Sequence, residues 1–175
     1  MVVTNPVMSG YEGSLATAEI LYSFVVTDAY SLDARDRPAL LFSMMRTFAS
    51  ELSHIALEGN LAATELFTLE GASYDETEVL RRATIAPRLD FVVLPLVPTR
   101  VPEIQQAIRS KIAFSGYRGI IHAQIEACGE LVFGAYDNFH RETVMVYGTI
   151  ERSLLDGLVK ARTLRSYAPV LKRAL

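Results

Sequence analysis

The sequence predicts an α+β domain: a mixed parallel and antiparallel sheet of five to six strands with βαβ character, a late β-hairpin and flanking helices. Three observations carry this. Apolar runs of strand type alternate with segments of helical periodicity. The helical segments are long enough to be crossovers between parallel strands. Near the end, Cys128-Gly129 joins two strand-like segments as a tight turn would. A chain of 175 residues suits one domain, assigned to residues 15–175 behind a flexible arm at residues 1–14, where Pro6, Gly10 and Gly13 break any periodicity.

Each element has its own signal. Residues 18–30 are rich in aromatic and β-branched side chains and read as a buried strand. A helix is expected over residues 38–58, with Asp36 as its cap, Pro38 in its first turn and Gly59-Asn60 as its stop. Its stripe is Leu41, Met45, Phe48, Leu52 and Ile55. Residues 61–70 read as a second strand, and residues 76–84 as a short helix capped by Asp75. The third strand, residues 89–97, contains Pro95, which cannot donate to a ladder and so argues for a sheet edge or for an irregularity near the strand's end. A helix over residues 102–114 follows, through Ile104, Ile108 and Ile112.

The hairpin, residues 119–140, has a two-residue turn that pairs Ala127 with Glu130. That register puts Ile121, Ala123 and Ile125 on one face with Val132, Gly134 and Tyr136. The other face then holds Ile120, His122, Gln124 and Glu126 with Leu131, Phe133, Ala135 and Asp137. Residues 143–147 suggest a last strand and residues 151–164 a closing helix.

Composition excludes several classes. Hydrophobic residues are 50% and charged residues 21% of the chain, so it is neither disordered nor fibrous. The net charge of −3 gives no overall attraction for a polyanion. Charge is uneven, however: residues 1–149 carry 11 Lys and Arg against 18 Asp and Glu, whereas residues 150–175 carry 6 against 2. Cys128 is the only cysteine, which removes any internal disulfide and suits a reducing compartment. No signal-peptide pattern and no membrane-length apolar run are present, so the expected location is cytoplasmic, away from membranes. Phosphate-binding glycine loops, the HExxH zinc motif and the GxSxG nucleophile motif are all missing.

The best chemical constellation is His122, Asp137 and His140, with Glu126 beside them. A carboxylate diagonal to an imidazole can orient it as a base, and the group would also suit a weak metal site, although no metal or cofactor is assigned. The bland alternative is a solvated or interface face whose strand is closed by an Asp137-Asn138 turn. A second group, Thr99 and Arg100 at a helix start, could hold a phosphate or carboxylate together with Arg118.

Three functions follow. The leading one is a non-catalytic module that binds a protein partner or itself, in a regulatory, inhibitor, immunity or subunit role. The alternative is a small hydrolase or transferase acting on an anionic or phosphorylated metabolite through the His/Asp site. The third is nucleic-acid binding through Lys160, Arg162 and Arg165.

Overall fold

The computed structural model describes residues 29–62, 64–109, 119–148 and 150–170. The expected arm at residues 1–14, most of the strand expected over residues 18–30, and Arg118 lie outside them. The elements, in order, are β1 (Ala29–Ala34), α1 (Arg37–Phe48), β2 (Ser53–Gly59), β3 (Asp90–Pro95), α2 (Val101–Arg109), β4 (Ile120–Ala127), β5 (Glu130–Ala135), β6 (Val144–Tyr147), α3 (Arg152–Lys160) and β7 (Leu164–Pro169). Single 3₁₀ turns occupy Leu66–Thr68 and Pro98–Arg100.

The seven strands form one sheet in the order β3-β2-β4-β5-β6-β1-β7, and every neighbouring pair is antiparallel. The mixed sheet of five to six strands is therefore corrected. The helices do connect strands of the same direction, as crossovers should, but those strands are not neighbours. Between β1 and β2 lie β4, β5 and β6; β2 lies between β3 and β4; β1 lies between β6 and β7. Inserted strands turn each crossover into an antiparallel arrangement.

Element boundaries moved for local reasons. The helix expected over residues 38–58 starts as foreseen, with Asp36 Oδ1 accepting the Ala39 N–H at 2.9 Å, but stops at Phe48. There the Ser53 hydroxyl donates to the Phe48 carbonyl at 2.7 Å and meets the Ser50 hydroxyl at 2.7 Å, so serine side chains replace the next helical turn. Beyond them Ile55 and Leu57 alternate with His54 and Glu58 as β2. The strand expected over residues 61–70 is a bent segment. Thr64 and Thr68 donate their hydroxyls to the carbonyls of Leu61 and Glu65, three residues back, which curls the chain.

The closing helix ends at Lys160. Arg162 takes a left-handed φ of 61°, and Thr163 N–H reaches back to Leu158 O at 2.9 Å. With no Gly or Asn at that stop, the sequence carried no sign of it, and β7 was missed. Pro95 does close an edge strand, β3.

The main core lies between the sheet and the three helices. Leu40, Leu41, Met44 and Met45 of α1, Ile104 and Ile108 of α2, and Leu155 of α3 pack with Leu32, Ile55, Leu57, Phe133 and Val146 of the strands. The other face carries a small cluster, Ala56, Phe91 and Val93, closed by Leu80. Among the described residues no helix is long and apolar enough to cross a membrane.

Candidate functional site

Residues 76–84, expected as a helix, form an irregular strap over this second face, and its backbone is hydrogen-bonded by side chains of the sheet. Glu58, 1% exposed on β2, accepts the N–H groups of Ala83 at 2.7 Å and Thr84 at 3.1 Å. Gln124 of β4 accepts the Arg81 N–H at 3.2 Å and donates to the Arg81 carbonyl at 2.6 Å, so it pairs with the strap as another strand would. Thr77 uses its hydroxyl oxygen to accept the Val79 and Leu80 N–H groups, and its O–H lies 3.4 Å from Glu126 Oε2. These bonds take the strap's polar groups into side chains and leave no helical ladder for them to form.

His122 stands inside this array, 4% exposed. The Asp137 N–H donates to its Nδ1 at 3.2 Å, so Nδ1 holds the lone pair and Nε2 the proton in the neutral ring. Nε2 then donates to the Thr84 hydroxyl oxygen at 2.9 Å. Burial lowers the His122 pKa from its usual 6.5, against the opposing pull of the Glu58 and Asp137 charges. The ring also packs against Tyr136, with centroids 5.8 Å apart. Tyr136 in turn covers Gly134, where a Cβ would come within 2.9 Å of the tyrosine ring.

The hairpin turn pairs Ala127 with Glu130 as expected, with Cys128 at φ 54° and Gly129 at φ 79°. Two residues later the register shifts: Glu126 pairs with Leu131 but Ile125 pairs with Phe133, leaving Val132 as a bulge. From there the faces of β5 are exchanged relative to the uninterrupted register. Phe133 and Ala135 enter the main core, while Gly134 and Tyr136 are turned away from it and Val132, at the bulge, packs only at its margin.

The expected site residues are therefore dispersed. His122 and Asp137 meet, but through the Asp137 backbone. Asp137 itself is exposed, at the start of a turn in which Asp137, Asn138 and Phe139 are all left-handed, with φ of 50°, 58° and 61°. Each such residue costs about 1 kcal/mol or more. The turn is held by His140 N–H to Tyr136 O (3.0 Å), by Asn138 N–H to Ile121 O (2.9 Å) and by Phe139, buried in the core. His140 emerges exposed beyond it, separate from His122. Glu126 faces the strap, with its Oε1 3.0 Å from His54 Nδ1. That contact is close enough for charge but off the line of a hydrogen bond. Arg100 is occupied by the Glu70 carbonyl and by Glu103 Oε2 at 3.3 Å, and Thr99 is exposed beside it. Arg118 lies outside the described residues.

At the far edge of the strap is a groove of about 520 Å³ lined by Phe67, Tyr74, Arg82, Arg88 and Phe91, among others. Phe67 and Tyr74 stack with centroids 5.4 Å apart and planes 9° from parallel, and Arg82 sits 4.7 Å above the Phe91 ring while donating to Leu89 O at 2.8 Å. Tyr74 is 59% exposed, and Ile85, the residue that follows the strap, 98%. Sequence reading missed this groove because its members come from separate segments, Phe67, Arg82 and Phe91 from three expected elements and Tyr74 and Arg88 from the links between them, which only the fold brings together. It also missed Glu58, hidden in a helix prolonged by ten residues. The alternation of Ile55 and Leu57 with His54 and Glu58 was the available signal.

Among the described residues no three His, Cys, Asp or Glu side chains gather as a metal site. Comparisons with known protein families, with characterised proteins and with solved structures returned no match.

Proposed function

We propose that this chain is a non-catalytic module that binds a protein partner or a second copy of itself, in a reducing cytoplasmic setting that suits its single Cys128. The observation that carries this reading is the state of His122. A catalytic base needs a ring nitrogen open to substrate. Both nitrogens of His122 are engaged inside the fold, by Asp137 and Thr84. Glu58, Gln124 and Glu126 on the same face are likewise engaged by the strap. A hydrolase or transferase that used His122 as its base would require the ring to leave these partners, and one that used His140, which is exposed, would work apart from them.

The groove beside the strap offers what an interface uses. Its aromatic and arginine side chains are backed by other rings and are partly immobilised before any partner arrives, which favours binding. The partner's matching chemistry is an apolar side chain beside a carboxylate, placed to meet Tyr74 and Arg88.

Light scattering of the full chain across a range of concentrations, combined with a photoreactive side chain at position 74, tests the reading. A dimer that Tyr74→Ala and Arg88→Ala dissociate supports it. So does a monomer whose photoreactive group joins one defined partner protein, with Arg88→Ala abolishing the adduct. Turnover of a substrate by the full chain that disappears in His122→Gln at unchanged melting temperature would overturn it.

A further inference from the structure

We infer that the end of the sheet where β1 meets β7 binds a small, multiply charged phosphate anion. Several separate segments bring arginines there: Arg35 and Arg37 after β1, Arg141 after the left-handed turn, Arg162 at the end of α3 and Arg165 in β7. They line two adjoining depressions of about 390 and 560 Å³ that share Ala34, Arg37 and Arg165. Five arginines and His140 line these depressions with two carboxylates, Asp33 and Asp36, on a chain whose net charge is −3. These volumes fall in the range of small-molecule sites.

The cluster is built into the fold. The Thr163 carbonyl accepts the N–H groups of both Arg35 (2.9 Å) and Asp36 (3.1 Å), which fixes the start of α1 against the start of β7. Arg165 Nη1 donates to Asp33 Oδ1 at 2.9 Å and to Ala34 O at 3.0 Å, placing its guanidinium over the end of β1. The strained turn, anchored by buried Phe139, sets His140 and Arg141 on the opposite wall. Among the described residues Arg141 has one loose companion, Glu142 at 3.9 Å, with both side chains over 70% exposed. Guanidinium groups that line one depression can share an anion with several oxygens, each giving it paired N–H bonds.

The chemistry favours a compact phosphate over a nucleic acid. Base stacking needs an exposed aromatic, but Phe139 is buried and the half-buried Tyr167 ring, on β7, packs against Tyr30 with centroids 5.7 Å apart.

The test is calorimetric titration of the full chain with pyrophosphate at low salt, alongside a single-stranded oligonucleotide. Pyrophosphate should bind, and Arg141→Gln and Arg37→Gln should each weaken it about tenfold, the usual loss for one charge-assisted bond. Arg46→Gln, an exposed change elsewhere on α1, should leave it unchanged. The inference fails if pyrophosphate gives no heat at millimolar concentration. It fails equally if Arg46→Gln weakens binding as much as Arg141→Gln, which would mean net charge alone. An oligonucleotide that binds through these arginines and is not displaced by pyrophosphate would transfer the face to nucleic acid. A melting-temperature check on each variant separates loss of site from loss of fold.

Discussion

Glu58 and His122 face each other across β2 and β4 and both hold Thr84, the carboxylate taking its N–H at 3.1 Å and the imidazole its hydroxyl at 2.9 Å. One strap residue is thus gripped from two strands.

Glu58→Leu removes the acceptor for Ala83 and Thr84 together. Left buried, the two N–H groups would each lose a bond worth about 1–3 kcal/mol. The strap lies at the surface, however, so it can lift and hydrate, and the expected net loss is about 2 kcal/mol. Hydrogen exchange should show this as faster exchange confined to residues 81–84, with Ala123 and Ile125 of β4 still protected. Uniform loss of protection across the sheet would mean that the strap is part of the global fold.

Acid should loosen the same contact. The folded His122 pKa is lowered by burial, so between that value and the unfolded 6.5 the unfolded chain binds the extra proton. Stability from this group is complete above pH 6.5 and declines as pH falls below it. Protonation would also place a proton on Nδ1, where the Asp137 N–H now donates. Urea unfolding at pH 7.5 and 5.5 should show a lower midpoint at 5.5, with a smaller difference in His122→Gln. A midpoint that rises on acidification would reverse the assignment.

Several local features could be read in the chain, but the strand number and the all-antiparallel order of the sheet could not, and the failures have a common cause. The cap at Asp36, the Cys128-Gly129 turn, β6 and the edge role of Pro95 depend on one or two residues acting locally, and the structure contains them. What was not legible is set by partners distant in sequence. Residues 76–84 have helical composition, yet Glu58 and Gln124, reached only once the sheet exists, supply their hydrogen bonds. The register shift at Val132 has no local marker either, and it follows from the core's demand for Phe133. His122 and Asp137 were paired from a register that does not hold, and the contact between them runs through a backbone N–H that no spacing argument describes.

The shifted register makes a sharp prediction about β5. Phe133 is fully buried against the helices, whereas Val132 is half-buried at the bulge. Phe133→Ala should destabilise by about 3–5 kcal/mol and Val132→Ala by about 1 kcal/mol. Denaturant midpoints for the two variants decide it. A larger loss from Val132→Ala would restore the uninterrupted hairpin.

The outer side of β7 gives the last prediction. Val170 N–H bonds to Ala29 O at 3.0 Å, and in an antiparallel pair the inward groups alternate, so Ala168 and Ser166 also face β1. Tyr167 and Pro169 therefore turn their nitrogens to the open side, and Pro169 has no proton to offer there. Among the described residues β7 is that edge of the sheet, and a proline facing outward keeps a second strand from pairing along it. Pro169→Val restores the missing donor next to the Tyr167 N–H and lengthens the row available to another chain. Self-association should then rise with concentration, as seen by light scattering, while the melting temperature at low concentration stays near that of the parent. Pro169→Lys, which also restores the N–H but adds charge, should associate less than the valine variant. Equal association by both would show that backbone pairing alone governs this edge, and none by either would show that Pro169 does not guard it.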